Sequence, residues 1–319
     1  MAAESRNSRR GVVDVKCLTL ENYPHRHLKN CSLFSWGKKG GGYTMFRLLV
    51  LCSISLICST TVLAQSEGLP RRDDGRPDIS GIWQVLSNAN WNLEDQPAVQ
   101  GTVESLGAIG AVTPGKSVIR GGRIPYKPEA LAQLTSNYAN RRTEDPEAKC
   151  FMPGIPRATY IPQPFQIFQT DTDIFMAYQF AGAERTVFMD NHMEAPIDSW
   201  MGWSNGHWEG DTLVIEVAGL NPNWLDRTGN YYTSTVKVTE RYTLKSPYHM
   251  DYEVTIEDPA VYEDPWTFGM TLYKRVEDNA RLFEFKCVEF AEEMMYSYLS
   301  RENYFRNLGI DISGDDEDE

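Results

Sequence analysis

Positions 185 to 227 concentrate the side chains best suited to hold and polarise a small molecule. Four tryptophans, Trp200, Trp203, Trp208 and Trp224, fall within 25 residues. Arg185, Asp190, His192, His207, Glu209, Asp226 and Arg227 are interleaved with them. Tryptophan faces stack on rings or sugars and attract cations. An aromatic cage with a few placed polar groups is the usual composition of a ligand site. The same residues would equally fill and plug a core. Arg157 ends the proline-bracketed turn Cys150-Phe-Met-Pro-Gly-Ile-Pro-Arg157, and its planar fork suits a carboxylate. It is expected either to bind a ligand acid or to tie Glu240 or Asp226 to the turn. The candidate ligand-binding set is therefore Arg157, Trp200, Trp203, Trp224, Asp226 and Glu240.

General acid–base chemistry has three candidates, His207, Asp226 and Glu240. His207 with Asp226, or Glu240 with Arg241, could polarise a bound molecule. Glu240 and Arg241 are adjacent on a predicted strand, so only one can face inward. An inward Glu240 needs a partner such as Arg157. Gly202-Trp-Ser204-Asn-Gly206 spells G-x-S-x-G, but hairpin strands rather than a helix follow it, so it reads as a chance match. His192, His207 and His249 have no short ligand spacing, so no metal is expected. No glycine-rich phosphate loop is present, so no cofactor is expected.

These residues must be held by β structure. Phe165–Gln169 and Ile174–Phe180 flank Thr-Asp-Thr-Asp, a hairpin signal. A Gly-Asp turn divides Trp208–Val217. Asp78–Gln84, Arg185–Asp190, Thr235–Leu244, Tyr252–Glu257, Trp266–Arg275 and Leu282–Phe290 complete the strand set. Val236, Val238, Glu240 and Tyr242 alternate with polar neighbours. Residues 86–126 read as a long loop. Residues 127–142 read as one helix, with Leu131, Leu134 and Tyr138 at helical spacing. Such a series predicts a mainly β fold: an antiparallel up-and-down, lipocalin-like barrel of about 8–10 strands. The helix should lie outside it or across one mouth, over an interior able to hold a small ligand.

The beginning of the chain reads as an address. Arg47 supplies a basic region, Leu48–Leu63 a short apolar run, and Val62-Leu63-Ala64 a cleavage site before Gln65. The apolar run is short for a membrane span and carries five Ser or Thr, although a membrane anchor with a cytosolic tail is the rival reading. Residues 1–44 are expected to be untranslated, with Met45 the true start, or else a disordered leader. The expected organisation is a signal peptide at 45–64, a single barrel domain at 65–300 and an acidic disordered tail at 301–319. Beyond position 64 the chain holds 22 basic and 41 acidic residues, a net charge of −19, which argues against nucleic-acid binding. Cys17, Cys31, Cys52 and Cys58 leave with the leader. Cys150 and Cys287 remain and are expected to pair in an oxidising compartment.

Gly81-Ile82-Trp83 resembles the Gly-x-Trp opening of lipocalin-like barrels. A longer set of motifs is more specific. It comprises Pro77-Asp78-Ile-Ser-Gly-Ile-Trp-Gln84, Cys150-x-x-Pro-Gly-x-Pro-Arg157, Pro164-Phe-Gln-Ile-Phe-Gln169 and Trp208-Glu-Gly-Asp-Thr-Leu-Val214. Trp224-Leu-Asp226, Val238-Thr-Glu-Arg-Tyr242 and Tyr252-Glu-Val-Thr-Ile-Glu-Asp-Pro259 complete it. Together they resemble a bacterial family of exported proteins of unknown function, over about residues 76–290. The family has no established activity, so the resemblance supplies no catalytic residues. Met189-Asp-Asn-His-Met193 stands where Asp-Gly-Arg-x-His is common, and Gly229-Asn-Tyr-Tyr232 where Gly-x-Pro-His is common.

The sequence thus leads to a periplasmic or secreted barrel that binds a small, partly apolar ligand in an aromatic-lined cavity. Two alternatives stand beside it. One is a cofactor-free hydrolase or isomerase using His207, Asp226 or Glu240 at the barrel mouth. The other is an envelope interaction protein that uses its acidic tail. No stable membrane span is expected after cleavage, and the oligomeric state is left open.

Overall fold

Alternation of apolar and polar residues builds the wall. In Lys237–Ser246, Val238, Glu240, Tyr242 and Leu244 are buried, and the residues between them are not. In His249–Glu257 the same holds for Met250, Tyr252, Val254 and Ile256. The period of two sends each set to one face, and the hairpin register aligns the two buried sets, with Tyr242 opposite Tyr252. The structure, a computed structural model, describes residues 68–101, 104–291, 306 and 308–309. The expected signal peptide and the acidic run 311–319 lie outside these residues. No helix among the described residues is long and apolar enough to cross a membrane.

Eleven strands form among the described residues. They are β1 (Gly81–Val85), β2 (Phe165–Gln169), β3 (Asp173–Tyr178), β4 (Glu184–Phe188), β5 (Trp203–Glu209), β6 (Thr212–Ala218), β7 (Asn223–Trp224), β8 (Tyr231–Tyr232), β9 (Lys237–Ser246), β10 (His249–Glu257) and β11 (Trp266–Lys274). Nine close into a barrel in the order β1-β11-β10-β9-β6-β5-β4-β3-β2, and β7 and β8 pair separately. The mainly β barrel read from the sequence is therefore the observed fold. One wall contact departs from the up-and-down pattern. β4 and β5 run parallel and share only two rungs, Val187↔Ser204 and Phe188↔Asn205. The chain from 189 to 202 doubles back before β5 starts, so both strands run the same way. Gly206 permits the contact, because a Cβ there would sit 2.6 Å from Val187 Cγ1.

Both barrel ends are covered. At one, Arg71 pairs with Asp211 in the β5–β6 turn, and Arg72 pairs with Asp171 in the β2–β3 turn. This N-terminal strap thereby ties two hairpin turns together. At the other end the helical turn α1 (Arg157–Tyr160) is buried throughout. Its Tyr160 ring meets Phe268 edge-on at 5.7 Å, and Thr159 Oγ1 lies 3.5 Å from the Tyr242 hydroxyl.

Two expected elements behave differently. Leu282–Phe290 alternates like a strand but forms none. β11, the strand it follows, is already paired on both sides by β10 and β1, so it offers that segment no edge. It lies extended on the outside, held by Phe285 on Phe180 and by the Cys150–Cys287 disulfide. The helix forms over Leu131–Ala139, but Leu131 and Tyr138 are exposed and only Asn137 is buried. A closed barrel has its apolar face inside, so no apolar surface receives the Leu–Tyr stripe. The helix docks through Asn137, whose Nδ2 donates to the Gly229 carbonyl at 2.9 Å.

The disulfide closes a span of 137 residues, for which chain entropy alone suggests about 4–5 kcal/mol. The segment on its Cys287 side belongs to no strand. After reduction that segment can fray while the barrel persists, which recovers part of the loss. Reduction should therefore lower the unfolding free energy by about 2–4 kcal/mol. Urea titration with and without reductant checks this; an unchanged midpoint would overturn it.

Candidate functional site

An ion pair sits inside the barrel. Arg185 on β4 and Val187 share the inward face, as do Glu240 and Tyr242 on β9. Arg185 Nη1 donates to Glu240 Oε2 at 2.6 Å, and Nη2 donates to the Tyr242 hydroxyl at 3.1 Å. The hydroxyls of Tyr242 and Tyr252 both donate to Glu240 Oε1, at 3.0 and 2.6 Å. The carboxylate thus has three donors, as a buried charge requires. Burial works against the Arg185 charge, but Glu240 outweighs it and holds the guanidinium protonated. Glu240 does face inward; its partner is Arg185 rather than Arg157.

Burial also raises the pKa of Tyr242 and Tyr252, with Glu240 adding to the effect, and burial raises that of Tyr178. These phenols stay neutral in the folded protein when the unfolded chain ionises, near pH 10. The unfolded state then binds fewer protons, so stability is intact below about pH 10 and is lost as pH rises beyond it. The part of the phenolate absorbance at 295 nm that comes from the buried tyrosines should rise together with the loss of β circular dichroism. Ionisation of all tyrosines near pH 10 in a folded barrel would contradict this.

Arg157 belongs to a second network, at the end of the barrel that α1 covers. It is bidentate to Asp145, at 2.8 and 3.1 Å, and also meets Glu147 at 2.5 Å and Asn90 Oδ1 at 2.9 Å. Burial opposes its charge, but Asp145 and Glu147 raise its pKa well beyond the ordinary value. Asp226 is fully buried close by. It accepts from the backbone of Leu93, Thr228 and Asn230 and from the Thr228 and Asn230 side chains. Burial raises the pKa of Asp226, against those hydrogen bonds. Arg157 therefore ties the turn to Asp145 and Glu147, not to Asp226 or Glu240, and its fork is already occupied.

The other candidates separate. His207 points outward from β5 toward Glu209, at 3.3 Å, with its side chain 43% exposed. His207, Asp226 and Glu240 thus occupy the outer wall, a loop network and the lumen, and no common point unites them. Trp224 is buried in the β7–β8 ribbon. Trp200 and Trp203 do come together.

They line a pocket of about 410 Å³ in the barrel wall, where β4 and β5 part. Its walls are Trp200, Trp203, Phe188, Met152 and Met201; Arg185 and Ser204 line its inner side and Glu184 and Thr186 the β4 edge. Trp203 stacks on Phe188 at 4.8 Å and Trp200 on Phe151 at 5.0 Å, so both indoles are fixed. Gly202, at φ +68°, turns the chain between them; a Cβ there would meet Leu220 and Val217 at 2.8 Å. Two lining residues carry donors without a protein partner, Arg185 Nε and Trp203 Nε1. Sequence reasoning left Arg185 out of the ligand set. The signal that could have found it is the inward register it shares with Val187.

Compared with known proteins, the chain matches no family model and no curated protein.

Proposed function

We propose that this chain is a binding protein for a small, partly apolar molecule, held in the pocket between β4 and β5 rather than in the lumen. The lumen is occupied by side chains such as Tyr242, Tyr252, Met176 and the Arg185–Glu240 pair. The carrying observation is the pocket of about 410 Å³, walled by two fixed tryptophans and backed by the buried Arg185. Apolar walls with few convergent polar groups are how small-molecule sites are built. The disulfide supports the further reading that the protein is exported to an oxidising compartment, periplasmic or extracellular. The motif set supports kinship with the bacterial family of exported proteins of unknown function that it resembles.

Titration with 2-naphthoate, followed by tryptophan fluorescence, tests the site. Saturable quenching is expected, weakened at least tenfold in Trp203→Ala and unchanged in Trp224→Phe. The reading falls if a panel of aromatic acids and amides gives no saturable signal and native mass spectrometry finds no copurifying molecule.

A further inference from the structure

The wall around the pocket is incomplete in one specific way. Tyr178 donates its N–H to the Ala183 carbonyl at 2.8 Å, and the register then runs Met176↔Arg185 and Ile174↔Val187. In an antiparallel ladder, hydrogen-bonded residues alternate with residues whose N–H and C=O point away. Ala183, Arg185 and Val187 bond toward β3, so Glu184 and Thr186 point their backbone groups away from it. β5 meets that side of β4 only from Val187 onward. The N–H and C=O of Glu184 and the N–H of Thr186 therefore face the pocket that both residues line.

This is a short open sheet edge inside an otherwise closed barrel. Exposed edges are templates for another strand, and proteins that do not use them cover or blunt them. Here the edge is flanked on the outer face by Trp203 stacked on Phe188, and on the inner face by Arg185 and Ser204. Glu184 stands exposed at the rim without an ion-pair partner among the described residues. We infer that the ligand is a short peptide in extended conformation, which adds to the Glu184–Thr186 edge of β4 as a strand. Main-chain hydrogen bonds give such binding its affinity, and alternate side chains give it specificity. The edge selects an extended backbone over other small molecules. Outward side chains of the peptide then meet Glu184 at one end and the Trp203–Phe188 stack at the other. A basic residue suits the first and an aromatic residue the second. The side chain between them points inward toward Arg185 and Ser204, where a small polar residue such as serine fits.

The inference rests on the pocket being the binding site, and the experiment separates the two. The probe is the blocked tripeptide acetyl-Lys-Ser-Tyr-amide, titrated against the full chain by tryptophan fluorescence beside 2-naphthoate. Two analogues carry single backbone N-methyl groups, on the Ser and on the Tyr nitrogen. Strand addition predicts saturable binding of the parent and at least a tenfold loss in one analogue. Glu184→Gln, an exposed and conservative change, should weaken the parent peptide three- to tenfold. Equal binding of the parent and both methylated analogues overturns strand addition. Binding of 2-naphthoate without the peptide overturns the peptide inference and leaves the site standing. Failure of both removes the site itself.

Discussion

Replacing Arg157 with glutamine lowers the free energy of unfolding by about 3–5 kcal/mol and leaves binding at the β4–β5 pocket unchanged. The guanidinium is 1% exposed and Asp145 is fully buried, so solvent cannot take over the lost interaction. Glutamine keeps much of the volume but supplies neither the charge nor the two-pronged geometry. Asp145 would remain buried with Arg227 Nε 3.8 Å away, too distant for a direct hydrogen bond. A bystander role toward ligand follows from place: Arg157 is on the element that covers one barrel end, whereas the pocket opens through the wall. Urea titration gives the stability and fluorescence titration the binding. A variant with wild-type stability and lost affinity would return Arg157 to the ligand site.

The second large effect is expected at the lumen pair. Arg185→Met should cost about 3–5 kcal/mol, because Glu240 is left charged among apolar side chains and two phenols. Glu240→Leu should cost a similar amount by stranding Arg185. The double variant removes both charges, and its loss should be smaller than the sum of the two. We expect a coupling energy of about 2–3 kcal/mol, in the range of directly contacting residues. Some loss persists because Tyr242 and Tyr252 no longer have an acceptor. Strict additivity of the two single changes would show that the pair does not act as a unit.

How legible these features were differs from residue to residue. The β9–β10 hairpin is written plainly: alternation over Val238, Glu240 and Tyr242 fixes both the strand and its inward face. The same alternation over Leu282–Phe290 misleads, because period two reports a surface with two faces but not whether a sheet has an edge to offer. Leu131, Leu134 and Tyr138 mislead for a related reason, since their spacing specifies a helix but not a partner for it. The Arg185–Glu240 pair joins strands distant in sequence and separated in the wall by β5 and β6, and it meets only across the lumen, so no local signal announces it. Asp145 and Glu147 were within reach of sequence reasoning. They lie 12 and 10 residues before Arg157, nearer than either carboxylate first considered. The pocket was half legible. Trp200 and Trp203 stood out by type, while the gap they line depends on the parallel β4–β5 contact, which follows from the path of a long connection and not from strand pattern.

That β1 is stitched to both β2 and β11 sets the order of assembly. β1 is the first strand of the wall and β11 the last, so the ring is sealed by contacts between the earliest and latest barrel segments. The intervening hairpins, such as β9–β10, are local and can form early, whereas the seam must wait for the largest loop to close. Until then Trp83 and Leu272, both fully buried at the finished seam, stay open to water and to neighbouring chains. The slow step of folding should therefore be closure of this seam, and aggregation should be governed by how long the open sheet persists.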